Sequence, residues 1–226
     1  MISYIFFDID DCLFPSTEFS NLARKNAVRA MIRLGLQHDE ETVYKLLLKI
    51  IEEKGSNFPN HFDLLLKRLK VNNPGKYIAA AVAAYHDTKA SILPYPEVPD
   101  VILSLRENGA KIFVASDGIE IKQWDKLIRM GIGIFFDGVF VSENLKVSKD
   151  KSDFYRKILK QVKAKPEECL MVGDRENRDI LPAKKIGMKT FRVLRGKYAE
   201  NPKKTAADYS GKDLRKIVKM VKNISH

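Results

Sequence analysis

The 226-residue chain is poor in the residue types that announce a function by themselves. Cysteine occurs only at Cys12 and Cys169, far apart and outside any C-x-x-C. That excludes a disulfide framework and a cysteine-built zinc site, and favours a reduced, intracellular setting. His38, His61, His86 and His226 stand at spacings that suit no metal motif. Long apolar runs are missing too. The longest helix-like one, YIAAAVAAY at 77–85, falls far short of the roughly 20 residues that a membrane span needs. The N-terminus lacks the basic and apolar regions of a secretory signal. The expectation is a cytoplasmic protein with no membrane partner.

Positive charge, by contrast, is abundant: 40 Lys and Arg against 29 Asp and Glu give a net charge of +11. Nucleic acid, an acidic membrane surface or small anionic substrates could each answer to that balance. The basic residues are spread along the chain without interleaved aromatics or a binding motif, which argues against nucleic acid. A solvated lysine-rich surface accounts for most of the excess. The apolar share of 45% is that of an ordinary globular protein.

Four apolar runs have the length and composition of buried strands: SYIFF before Asp8, KIFVA before Ser116, ECLMV before Gly173, and KTFRV at 189–193. A weaker fifth is DGVFVS at 137–142. Helix-like segments alternate with them, as in EVPDVILSLRENG, GIEIKQWDKLIRMG and KSDFYRKILKQV. This rhythm predicts an α/β fold, a Rossmann-like parallel sheet with helices on both faces. Residues 16–92 break it. They carry four helical patterns and no strand signal, and LPYPEVPD at 93–100 leads the chain back. The reading is an α/β core of residues 1–15 and 93–226 with an all-helical domain, 16–92, inserted after the first strand. Trp124 reads as core packing, with an interface position as the alternative.

In open parallel sheets, ligands bind outside the carboxyl ends of the strands. The first run ends at Asp8, the second at Ser116 and a later one at Gly173-Asp174. Asp8 and Asp10 are two apart, so in extended backbone they project to the same side, with Asp11 opposite. If Asp174 joins them, three carboxylates meet and stay ionised only beside a cation. Oxygen donors without His or Cys suit Mg²⁺. The alternative is a polar turn leaving a strand.

These residues resemble the four motifs of the haloacid dehalogenase (HAD) superfamily of phosphohydrolases, in order. FFDIDDCLF is similar to its D-x-D motif, FVASDG to its strand ending in a hydroxyl residue, VSKDKSDFY to its lysine motif, and GDRENRD to its G-D-x-x-x-x-D. The inserted helices match the cap of the subgroup whose cap lies between the first two motifs. SDGIEIKQWDKLIRMGI and SNFPNHFDLLLKRL further resemble an archaeal subfamily of Mg-dependent phosphatases. Cys12 stands where the family usually has Thr, and KDKSD replaces the commoner lysine-proline pattern, which leaves Lys146 and Lys151 as rivals of Lys149.

The resemblance implies a Mg²⁺-dependent phosphatase for small phosphorylated metabolites. Asp8 would be the nucleophile, passing through an aspartyl-phosphate. Asp10 would be general acid and base. Mg²⁺ would be held by Asp8, the backbone carbonyl of Asp10 and Asp174, while Asp179 orients its waters or Lys149. Ser116 and Asp117, with the N–H groups of a helix start, would bind phosphate together with Lys149. Cap candidates for specificity are Asn57, His61, Asp63, Arg24 and Arg29, with surface roles favoured for the arginines and packing for His61. The subfamily resemblance extends to a homodimer. Three alternatives stay open: a 2-haloacid dehalogenase-type hydrolase, disfavoured because those enzymes lack the second aspartate; a non-enzymatic phospho-acceptor; and a nucleic-acid-binding protein.

Overall fold

The computed structural model describes residues 2–199 and 205–224, without the side chains of 222–224; His226 lies outside the described residues. The chain divides into two compact units, Met1–Thr17 with Leu93–His226, and Glu18–Ile92.

The first unit is a six-stranded parallel sheet: β1 (Tyr4–Phe7), β2 (Lys111–Ser116), β3 (Gly138–Val141), β4 (Cys169–Gly173), β5 (Lys189–Val193) and β6 (Tyr209–Gly211). Their spatial order is β3-β2-β1-β4-β5-β6. The expected runs became these strands because sheets covered on both faces favour unbroken apolar segments over alternation. β6 went unforeseen: YSG is three residues long, lies at the sheet edge and has no apolar run. Parallel register aligns the strand ends. Phe7 pairs with Val114 on one side and Val172 on the other. One step on, Asp8 stands in line with Ala115 and Gly173, so the three strand ends open onto one place.

Both faces of the sheet are covered by helices of the crossovers. Phe6 stacks on Phe113 at 5.1 Å between ring centres. Beneath them pack Phe154, Tyr155, Ile158 and Leu159 from one face of a helix over Ser152–Val162. Each such side chain contributes about 1.5–3 kcal/mol when withdrawn from water. No helix among the described residues is long and apolar enough to cross a membrane.

The chain leaves this unit just after Leu13 and returns at Tyr95, whose N–H donates to the Leu13 carbonyl at 2.9 Å. Between them run four helices: α1 (Ser16–Arg33), α2 (Glu40–Lys54), α3 (His61–Arg68) and α4 (Gly75–Thr88). Asp39 caps α2 by accepting from the Thr42 N–H at 2.8 Å. Val43, Leu47 and Ile50, spaced by three and four, face Ala27, Met31, Leu65 and Tyr77 in a separate core.

After α5 (Val98–Glu107) and β2 comes α6 (Glu120–Arg129). Its core face is Gln123 and Leu127. Trp124 is not core packing: it is 37% exposed, beside Ile121 at 76% and Ile128 at 70%. The helix is apolar on two sides, and among the described residues the second is left largely exposed at Ile121 and Ile128.

Candidate active site

Asp8, Lys149, Asp174 and Asp179 meet in one buried group, and the buried Ser116 ends the neighbouring strand. Lys149 lies past β3, in the loop before the Ser152–Val162 helix. Its Nζ lies 2.8 Å from Asp8 Oδ1, donates to the Ala115 carbonyl at 2.7 Å and lies 2.5 Å from Asp179 Oδ1. Lys149 is 2% exposed. Lys151, its rival, is 68% exposed at the side chain, and Lys146 closes a short helix in left-handed backbone.

Asp8, Asp174 and Asp179 each offer a carboxylate oxygen within 4.8 Å of the others. The third carboxylate of the cluster is therefore Asp179, not Asp10. Strand alternation stops at Phe7, and Leu13 N–H closes a turn onto the Ile9 carbonyl at 2.9 Å. That turn redirects the Asp10 side chain. Asp179 comes from a π-helical turn, Glu176–Ile180, and is steadied by the Arg175 N–H on its Oδ2 at 2.9 Å. It also packs on Gly173, where a Cβ would come within 2.4 Å of its Cγ.

Burial dominates the electrostatics. It raises the Asp8 pKa from 3.8 to about 7, with Lys149 opposing and Asp179 and Asp10 adding. Burial, then Asp8 and Asp179, lift Asp174 to about 9. Desolvation also works against the charge on Lys149, but Asp179 and Asp8 outweigh it and hold its pKa well above normal. One lysine thus faces three buried carboxylates. Asp174 Oδ1 is buried without a hydrogen-bond partner. An orphaned oxygen in an all-carboxylate cluster fits a hard divalent cation such as Mg²⁺.

Asp10 stands apart, 42% exposed at the side chain, with both oxygens held by Lys126 Nζ at 2.7 and 2.8 Å. Lys126 also donates to Gln123 Oε1 at 3.0 Å, and Gln123 Nε2 to the Asp117 carbonyl at 2.7 Å. The sequence offered one signal for this chain, the i, i+3 spacing of Gln123 and Lys126 on one helix.

Ser116 ends β2 and is 1% exposed. Asp117 Oδ1 accepts from the Lys149 N–H at 3.0 Å, and Oδ2 from Arg178. Its carboxylate thereby ties the lysine loop to the Asp179 turn. Two N–H groups of the following helix start are already engaged: Gly118 donates to Ser142 Oγ at 2.9 Å and Glu120 to Glu143 at 2.8 Å.

Asp11 lies in the same turn as Asp10 and faces the start of α1 rather than the carboxylate cluster. It adopts φ +53° and accepts from the Thr17 N–H at 2.9 Å and from the Ser16 and Thr17 hydroxyls, anchoring the start of α1. Cys12 is fully buried, and its thiol donates weakly to the Val172 carbonyl at 3.7 Å. Burial, then Asp8 and Asp174, push that thiol well above its ordinary pKa.

In the helical unit, His61 Nε2 lies 3.0 Å from the Gly55 carbonyl at the start of α3, and Arg29 pairs with Glu40 at 2.8 Å on the surface.

The haloacid dehalogenase-like hydrolases match residues 2–187 of the chain. A glyceraldehyde 3-phosphate phosphatase of Methanopyrus kandleri is 46% identical over 203 residues, 88% of this chain and 87% of that protein. A second protein of that name, from Methanocaldococcus jannaschii, is 43% identical over 99% of each chain. A HAD phosphatase from Thermococcus onnurineus superposes with a TM-score of 0.68 over 97% of this chain and 98% of its own, at 19% identity, a likeness of fold alone.

Proposed function

The chain belongs to the haloacid dehalogenase-like hydrolases and is a phosphatase of that family; on that premise we propose that it hydrolyses glyceraldehyde 3-phosphate, with Mg²⁺ as cofactor and Asp8 as nucleophile. The chemistry rests on one observation: Asp8, just past a strand end, is buried 2.8 Å from Lys149 Nζ and clusters with Asp174, which carries an orphaned oxygen. The substrate rests on the two archaeal relatives of that name, at 46% and 43% identity.

Asp8 attacks phosphorus through a carboxylate oxygen, forming an aspartyl-phosphate as the ester oxygen departs. Lys149 draws the phosphoryl charge toward the cluster, and the Ser116 hydroxyl donates to another phosphoryl oxygen. Asp10 must first take up a proton on one oxygen, in place of one of its two hydrogen bonds from Lys126. It gives that proton to the leaving alkoxide, then takes one from the water that splits the aspartyl-phosphate. Asp8, the Asp10 carbonyl and Asp174 would hold Mg²⁺, with Asp179 in support. Bound there, the ion would neutralise the carboxylates and the incoming phosphate. The inserted helices are the proposed source of selectivity for the organic half.

The reading is tested by steady-state kinetics on D-glyceraldehyde 3-phosphate, phosphoserine, phosphoglycolate and p-nitrophenyl phosphate with Mg²⁺. The expected result is the highest kcat/KM for glyceraldehyde 3-phosphate and loss of turnover with EDTA. A tenfold preference for another ester overturns the substrate. Full activity in Asp8→Asn overturns the covalent route.

A further inference from the structure

We infer that Lys126, locked by Gln123, is the positioning residue that aims the Asp10 carboxylate. The inference rests on the reading of Asp10 as acid and base. Lys126 spends two N–H bonds on Asp10 and a third on Gln123, which exhausts an ammonium group. A lysine is ordinarily a swinging point charge without a fixed direction. Here Gln123 supplies the direction: it is 4% exposed, and its own amide is pinned to the Asp117 carbonyl. Asp117 directly follows Ser116, so the acid/base is referenced to the loop proposed to hold phosphate. Proton donor and phosphoryl group are thereby kept in one frame.

Stability does not explain the arrangement. Asp10 is 42% exposed, and ion pairs that open to water contribute about 0–1 kcal/mol. Its effect is orientation. The Asp10 carboxylate lies outside the Asp8–Asp174–Asp179 group. Lys126 supplies both hydrogen bonds described for that carboxylate, so its removal lets the side chain turn inward to a cation or outward to solvent. Either rotation takes it from the ester oxygen, and misplacement of about 1 Å can cost about a hundredfold in rate.

The experiment is a double-mutant cycle of Lys126→Met with Asp10→Asn, read on two esters. An alkyl phosphate, glyceraldehyde 3-phosphate or glycerol phosphate, needs a proton on its leaving oxygen. The pre-steady-state burst of p-nitrophenolate from p-nitrophenyl phosphate does not. The expected result for Lys126→Met is a fall in kcat of about 10- to 100-fold on the alkyl ester. KM and the burst rate constant should each stay within about threefold, and Lys126→Arg should recover part of the loss. In the Asp10→Asn background, Lys126→Met should cost nothing further. A multiplicative loss in that background, equal losses on both esters, or an unchanged kcat overturns the inference. Lys126→Gln carries the same test if the methionine variant does not fold. Activity surviving Asp8→Asn would sink the underlying mechanism; an inactive Asp8→Asn beside a multiplicative cycle sinks this inference alone.

Discussion

Lys149 Nζ lies 2.8 Å from Asp8 Oδ1, with the two side chains only 2% and 9% exposed. Removing one member of a buried ion pair leaves its partner uncompensated. Lys149→Met is therefore expected to lower the unfolding free energy by about 3 kcal/mol in urea melts. Lys149→Arg should restore little, because a planar fork cannot reproduce the contacts that an ammonium makes with Asp8, Asp179 and the Ala115 carbonyl.

The metal-free protein should lose stability as pH rises. Burial raises the folded-state pKa of Asp8 to about 7 and that of Asp174 to about 9, from an ordinary 3.8. The folded chain thus binds protons that the unfolded chain has released, and this contribution is full below the unfolded value. It is lost as pH climbs through the folded values. In EDTA, Tm should fall steadily between about pH 5 and 9. Added Mg²⁺ should raise Tm more at pH 8 than at pH 5, where protons compete with it. Thermal melts across that range check both; a flat EDTA profile contradicts the first.

Gly173→Ala tests the support of Asp179. The added methyl would come within 2.4 Å of Asp179 Cγ, itself held by the Arg175 N–H. The substitution should cost about 1–3 kcal/mol of stability through overpacking. It should also cut kcat at least about tenfold by moving Asp179 off Lys149. Urea melts and steady-state kinetics on one preparation read both.

Neither thiol should react in the folded state. Cys12 and Cys169 are buried, and burial with Glu168 pushes Cys169 up to about 12. Ellman's reagent at pH 8 should titrate no thiol in native protein and both after denaturation. Rapid modification of native Cys12 would show that the loop after Asp10 opens readily.

Much of this was legible in the residues. Strands with two buried faces write themselves as continuous apolar runs, and the inserted helices show spacings of three and four. Strand ends named Asp8, Ser116 and Asp174, because parallel register aligns the carboxyl ends of neighbours. What escaped depends on contacts. β6 is too short to carry a pattern; it is docked by Asp208, which accepts from the Thr190 N–H and hydroxyl next to it. Asp10 leaves the cluster because a turn begins where alternation ends. Lys126 looks like a solvated charge until its two partners are in place. Trp124 has the chemistry of a core residue, but a sequence does not say which face of a helix meets the sheet.

The hydrogen bond from Tyr95 to Leu13 has an evolutionary corollary. The outgoing and incoming strands of the insertion touch at that point, so the catalytic body asks only that whatever is threaded there have adjacent ends. The entropy of closing such an excursion grows slowly with its length. Exchanging a short turn for seventy-odd residues at that doorway raises the chain-entropy cost by roughly 2–3 kcal/mol. If the insertion sets selectivity as proposed, that selectivity can be traded wholesale at one locus while the aspartates keep their register.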